Sequence, residues 1–213
     1  MPELPEVEHV KRGIEPYAIN TTINKITFSE NVKKGKEDNR ETIIKGMTLD
    51  SFQRLTEGYT ITKIERRSKY IVFYINRDSE QRILISHLGM AGGFFVVDHL
   101  EQITVPNYRK HWQVIFELDN GKKLIYSDIR RFGEIRNVSS FDAYPSFLSI
   151  APEPFDEDAM QHFLDITNKK NYAKKPIKQV ILDHKVISGC GNIYACEALF
   201  LSLIHISEPT RPE

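Results

Sequence analysis

Between Thr22 and Val138 the chain alternates short β-branched and aromatic runs with polar or glycine-bearing turns, and this rhythm constrains its fold more than any other feature. The runs are Ile23 to Phe28, Tyr59 to Glu65, Tyr70 to Ile75, Ile83 to Ser86, Phe94 to Val97, Trp112 to Leu118, Lys123 to Ser127 and Glu134 to Val138. Their length and residue types suit half-buried strands. Asp119-Asn120-Gly121 is a hairpin signal, because these residues tolerate the positive φ of tight antiparallel turns. Such a series implies an antiparallel sandwich or barrel.

The flanks read differently. Val7, Val10 and Ile14 fall at helical spacing, with Pro16 as the expected stop. After Pro145, Ala151-Pro152-Glu153-Pro154 reads as a linker or a turn entering a helix. Asp156 is placed to cap a helix carrying Met160, Phe163 and Leu164. A basic loop follows, then a helix marked by Ile177, Val180 and Ile181, broken at Gly189-Cys190-Gly191. Asn192 is expected to cap a last helix carrying Ile193, Leu199 and Phe200. Helix, glycine-bearing turn, helix docks DNA in several folds and is also the commonest join between two packed helices. The expected class is α+β: a β-sandwich domain over 1–140, a helical domain over 141–202, and a non-native tail over 203–213.

Composition excludes some functions. In 213 residues with 40% hydrophobic content there is enough apolar material for a core, but no apolar run approaches the ~20 residues of a membrane span. No signal-peptide order of charge then apolar run opens the chain, so a cytoplasmic protein is expected. Lys and Arg number 29 against 29 Asp and Glu, which predicts no whole-molecule attraction to nucleic acid. The cations nonetheless cluster, at Lys33-Lys34-Lys36, Arg66-Arg67-Lys69, Arg130-Arg131 and Lys169-Lys170-Lys174-Lys175-Lys178. Gathered on one face they would bind phosphates; scattered, they are solvated surface. Cys190 and Cys196 lack zinc-site spacing and read as reduced small residues, so no metal ligand is assigned.

The opening Met-Pro-Glu-Leu-Pro-Glu-Val-Glu carries two readings. Removal of Met1 would make Pro2 a free secondary amine beside carboxylates. Terminal amines titrate near ~8 and attack electrophilic carbon to give imine-type intermediates. The same residues also make an ordinary helix start, with Pro5 at the first helical position and Glu6 and Glu8 in the first turn, where the helix dipole favours acids.

Four further segments bear on that choice: Arg66-Arg67-Ser68-Lys69-Tyr70, His87-Leu88-Gly89-Met90-Ala91-Gly92, Asp128-Ile129-Arg130-Arg131-Phe132-Gly133, and Ile177-Lys178 through Gly189-Cys190-Gly191-Asn192-Ile193-Tyr194 to Glu197. In this order and at these distances, from Met1 to about Ser202, the chain resembles the formamidopyrimidine-DNA glycosylases, which remove oxidised purines from DNA. The resemblance implies a β-sandwich followed by a helix-two-turn-helix domain. It implies that the Pro2 amine attacks the sugar C1′ as the base leaves, with strand cleavage by β- and δ-elimination. Glu3 would transfer protons, and Lys69 would complete the catalytic group by gripping a phosphate beside the lesion. Glu6 and Lys178 would line the lesion pocket. Met90, Arg130 and Phe132 would fill the gap left by the flipped nucleotide, with Arg130 facing the orphaned base, while Arg131 and Asn192 would hold backbone phosphates. The partner would be damaged double-stranded DNA at the bacterial nucleoid, met by a monomer.

The sequence departs from the family pattern at Ile129, where proline is usual before the paired arginines. The family's four-cysteine zinc ribbon is absent from it, and the segment after Leu203 resembles read-through of adapter DNA in a truncated reading frame. Weak DNA affinity, poor solubility and impaired excision are the corresponding expectations, with Leu199, Phe200 and Leu201 short of partners. The alternatives are an endonuclease-VIII-like enzyme for oxidised pyrimidines, against which Leu4 speaks because that group more often has glycine there, and a non-catalytic damage-binding protein.

Overall fold

Glu3, extended at φ −102° and ψ −171°, is the N-cap of helix α1 (Leu4–Ala18), and the Glu6 carboxylate reaches back to accept its N–H at 2.9 Å. This is a capping-box contact, with Pro5 in the first turn where a missing N–H has no partner to lose. The helix runs through Pro16, contrary to the expected stop. A proline in the final turn removes one hydrogen bond, and the Ile19 N–H still closes on the Glu15 carbonyl.

The computed structural model describes residues 1–40, 42–172 and 174–203; the tail expected beyond Leu203 lies outside the described residues. The chain divides into two compact units, Met1–Leu148 and Ser149–Glu213. The first continues with β1 (Ile23–Phe28), α2 (Glu30–Glu37), β2 (Ile44–Lys45), α3 (Leu49–Arg54), β3 (Thr60–Arg67), β4 (Tyr70–Arg77), β5 (Glu80–His87), β6 (Gly92–Val97), α4 (Pro106–Lys110), β7 (Trp112–Leu118), β8 (Lys123–Asp128), β9 (Glu134–Val138) and α5 (Pro145–Leu148). One sheet has the order β1-β7-β8-β6 and is antiparallel; the other has the order β2-β9-β5-β4-β3, with β2 joined to β9 in parallel.

The sheets face each other across one core. Phe73 of β4 meets Phe94 of β6 edge-on at 5.4 Å between ring centroids. Register shifts in β1, β3 and β7 reset the side-chain parity, so that Ile23, Ile26 and Phe28 all point inward although a regular strand would alternate them. The Asp119-Asn120-Gly121 turn joins β7 to β8 with Gly121 at φ +82°, as the sequence suggests. Helices α2 and α3 have no counterpart in the sequence reading. They are short and mostly polar, capped by Ser29 and Thr48, and hold to the core through Val32 and Phe52.

The second unit contains α6 (Ala159–Thr167), α7 (Ile177–Ile181) and α8 (Asn192–Ser202). Its small core joins Tyr172, Val180 and Val186, with Phe163 and Ile166 packed against them. Three local expectations are corrected. Asp158, not Asp156, precedes α6, because the Asp156 carboxylate accepts the Glu153 N–H and closes the proline turn instead. Helix α7 ends at Ile181, before the glycines, as the chain turns through Asp183, whose carboxylate takes the Lys185 N–H. Gly191 is the N-cap of α8 and Asn192 its first residue. Among the described residues, no helix is long and apolar enough to cross a membrane.

Phe52 touches Phe28 and Phe116 at centroid distances of 6.1 and 6.4 Å and is fully buried, so it anchors α3 to the first sheet. Phe52→Ala should lower stability by about 3–5 kcal/mol, read as a shifted urea midpoint with unchanged slope.

Candidate active site and nucleic-acid interface

The start of α1 is fixed to the β3–β4 hairpin by charge. Arg66 donates to the Glu8 carboxylate at 3.1 Å and to the Ser68 carbonyl at 3.0 Å, so one guanidinium joins the helix to the turn. Burial raises the Glu8 pKa, but hydrogen bonds from Arg12 and Arg66 outweigh it and hold the carboxyl below its ordinary value. The turn itself places Ser68 at φ +56° and leaves Lys69 half-buried at its tip. At the head of this arrangement Pro2 is half-exposed, Glu3 is 1% exposed and Glu6 is exposed. In the chain as written, the Pro2 nitrogen is the peptide nitrogen of Met1.

His87 at the end of β5 belongs to the same neighbourhood, and sequence reasoning gave it no role although it opens the His-Leu-Gly-Met segment. Burial pushes its imidazole below the ordinary value; Glu134 draws it up and Lys69 pushes it further down. The neutral ring accepts the Gly89 N–H at Nδ1, 3.1 Å away, and so sets the start of the next turn.

Met90, Arg130 and Phe132 are brought together by two loops that each cross between the sheets. The Leu88–Ala91 turn links β5 to β6, and residues 129–133 link β8 to β9. The loops touch backbone to backbone: a Cβ on Gly89 would lie 2.4 Å from the Gly133 nitrogen, and one on Gly133 1.8 Å from Tyr126 Oη. On this platform Met90 is 41% and Phe132 62% exposed. The Arg130 guanidinium lies 4.9 Å from the Phe132 ring centroid and 3.7 Å from the Met90 sulfur. The segment from Arg130 to Phe132 is loop.

Asp128 holds that loop. Fully buried, its carboxylate accepts from the Arg130 N–H at 3.0 Å, the Gly133 N–H at 2.8 Å and Tyr126 Oη at 3.3 Å. Between the two clamped amides, Arg131 adopts φ +60°, a conformation costing an L-residue about 1–2 kcal/mol. Sequence reasoning missed this carboxylate; its only signal is an aspartate two residues before a turn, where such side chains cap backbone amides.

In the second unit Lys178 Nζ lies 3.2 Å from Cys196 Sγ, which is 4.0 Å from Asn192 Oδ1, so the thiol sits between two of the candidate residues. Asn192 is exposed in the first turn of α8.

Residues 1–135 match the family described as Formamidopyrimidine-DNA glycosylase N-terminal domain, and residues 150–212 match the Formamidopyrimidine-DNA glycosylase H2TH domain. A formamidopyrimidine-DNA glycosylase of Roseobacter denitrificans is 36% identical over 96% of this chain and 69% of its own length. The Lactococcus lactis FPG solved with Fapy-dG containing DNA is 30% identical at a TM-score of 0.75, covering 98% of this chain and 71% of that one. The same protein with abasic-site DNA gives 0.75, with 98% and 70% covered. The chain belongs to the formamidopyrimidine-DNA glycosylase family.

The family resemblance implies structural zinc, and the residues present do not fit it. The sequence has two cysteines, one half-buried and one exposed, where the ribbon needs four. Among the described residues no group of three or more His, Cys, Asp or Glu could hold a metal ion.

Two outcomes follow from this geometry. Asp128→Ala leaves three donors of the glycosylase-family loop without their acceptor. It should cost about 2 kcal/mol or more and speed trypsin cleavage after Arg130 and Arg131, read on gels against the wild type. For His87 the folded state binds a proton less readily than the unfolded chain, so its contribution to stability is full above about pH 6.5 and is lost as pH falls below that value. Urea midpoints from pH 7.5 to 5 should therefore fall less steeply in His87→Gln than in the wild type.

Proposed function

We propose that this chain removes oxidised purines, 8-oxoguanine and formamidopyrimidines, from double-stranded DNA and cleaves the strand at the abasic site it creates. The observation that carries the reading is the wedge: exposed Met90 and Phe132 flank a guanidinium on two mutually docked loops. A target base inside a stacked duplex is out of reach, and flipping it leaves a gap that apolar or planar groups fill. Arg130, between them, is placed to meet acceptor atoms of the orphaned base. The DNA-bound relatives support the same partner.

In this reading Met1 is removed and the Pro2 amine attacks C1′ of the flipped nucleotide. The C–N bond to the base breaks, and an iminium joins Pro2 to the opened sugar. Elimination then expels first the 3′ and next the 5′ phosphate. Buried Glu3 adjoins the nucleophile covalently and passes the proton during ring opening. Glu6 stands one helical turn on and is assigned to the lesion pocket, and Lys178 is assigned to the lesion by the family resemblance. Lys69, Arg131 and Asn192 hold phosphates without reading sequence. The protein acts as a monomer at the nucleoid.

Borohydride trapping on an 8-oxoguanine duplex tests this directly. Chain lacking Met1, verified by intact mass, should become covalently linked to DNA, and Pro2→Gly should lower the trapped product by more than ~100-fold. Unchanged trapping in Pro2→Gly removes the assigned nucleophile. A gel shift without any cross-link favours a damage-binding protein, and preferential trapping on an oxidised pyrimidine favours the endonuclease-VIII-like alternative.

A further inference from the structure

At the β3 edge of the second sheet, beside α1 and the segment that carries Phe141 and Phe147, lies a cavity of about 410 Å³, within the range that holds a small ligand. It belongs wholly to the first unit, and its described lining includes none of the residues assigned above to the lesion, the wedge or the phosphates. The lining combines two chemistries. One is aromatic: the Phe141 and Phe147 rings stack at 5.1 Å with 9° between their planes, and Tyr74 meets Phe141 edge-on at 6.3 Å. The other is charged, with Lys11, Arg66 and Arg67 against the carboxylates of Glu8 and Glu65 among the described lining residues. Both carboxylates are engaged. Glu8 accepts from Arg12 at 2.7 Å and from Arg66 at 3.1 Å, and Glu65 pairs with Lys63 at 2.5 Å and accepts from the Tyr74 hydroxyl at 2.8 Å. Burial and the Glu65 carboxylate push the Tyr74 phenol up to about 12, so at neutral pH it stays a donor. Lys11 is held in turn by Glu15 at 2.6 Å.

We propose that this cavity binds a planar heteroaromatic anion of the nucleoside monophosphate class, a small ligand separate from the DNA of the preceding reading. Each half of the lining selects one half of such a molecule. Aromatic side chains stack on the face of any nucleobase, and the parallel Phe141 and Phe147 pair, braced by Tyr74, is already ordered for it. Guanidinium forks match phosphate oxygens, and the lining holds two arginines. A wholly apolar ligand would strip water from these cations without replacing it, and a non-aromatic anion would leave the rings unused. Two carboxylates in the same lining limit the negative charge the site tolerates, which favours one phosphate over a polyphosphate chain or a duplex. The ligand would lie against Arg66, the guanidinium that ties Glu8 of α1 to the Ser68 carbonyl in the turn of Lys69.

Isothermal titration calorimetry of the full chain with guanosine 5′-monophosphate tests the assignment and should show one site that saturates below ~1 mM. Guanosine, which lacks the phosphate, and ribose 5-phosphate, which lacks the base, should each bind about tenfold or more weakly. Phe141→Leu keeps an apolar side chain but removes a stacking face, and Arg67→Gln removes a guanidinium; each should weaken the monophosphate about tenfold. The ligand series uses the unaltered protein, so it decides the outcome even where a variant fails to fold. No saturation below ~1 mM overturns the site. Ribose 5-phosphate binding as well as the monophosphate overturns the aromatic half, and guanosine binding as well overturns the anionic half. Affinity lost in Glu6→Gln but kept in both cavity variants moves the nucleotide to the lesion pocket and overturns the assignment. None of these results alters trapping at Pro2, so the glycosylase reading stands or falls separately.

Discussion

The contact on which the first unit depends is the approach of Gly89 to the backbone of Phe132 and Gly133. Here the chain crosses from the second sheet to the first and later crosses back, and the two crossings share a space that admits no Cβ. Side chains at these positions would part the loops and, with them, the ends of β5, β6, β8 and β9. Asp128 supplies the polar half of the same constraint by satisfying loop amides that burial would otherwise leave without acceptors. Met90 and Phe132, one on each of the two loops, are exposed. Their position is a consequence of sheet topology.

The strands were legible because their environment is two-sided. β1, β7 and β9 begin and end where the patterns of Ile23 to Phe28, Trp112 to Leu118 and Glu134 to Val138 begin and end. The bulges were not legible, since an extra residue changes which face a side chain takes without changing composition. Helices α2 and α3 escaped for a different reason. Glu-Asn-Val-Lys-Lys-Gly-Lys-Glu offers one large apolar residue, so its helix is set by the Ser29 cap and by Val32 entering a core built from distant strands. Pro16 misled because proline limits a helix only where the hydrogen bond it removes is needed.

The candidate site was legible as segments and not as a surface. Local signals, such as Met90 between glycines and paired arginines before Phe132, identify loops with something to present. They do not reveal that the loops touch, that burial holds the His87 imidazole below its ordinary pKa, or that Arg131 is held in a left-handed conformation by a carboxylate three positions earlier. These properties come from burial and from contacts across the sheets. The clamp that follows Ile129 grips the amides of Arg130 and Gly133.

The formal charge of zero also has a structural resolution. Many acids are engaged inside the molecule: Glu8 with Arg12 and Arg66, Glu15 with Lys11, Glu30 with Lys33, Asp98 with Lys122, Glu134 with Arg136. Exposed pairs of this kind contribute only about 0–1 kcal/mol each, so most of them matter little to the fold. Their larger effect is on the field. Each pair cancels charge at its own location, and the potential that remains is set by how the other charges are distributed. A neutral sum is therefore compatible with a locally cationic face, and the electrostatic attraction such a face exerts on a polyanion depends on where the pairs are, within a Debye length of about 10 Å at 0.1 M salt, and not on the total.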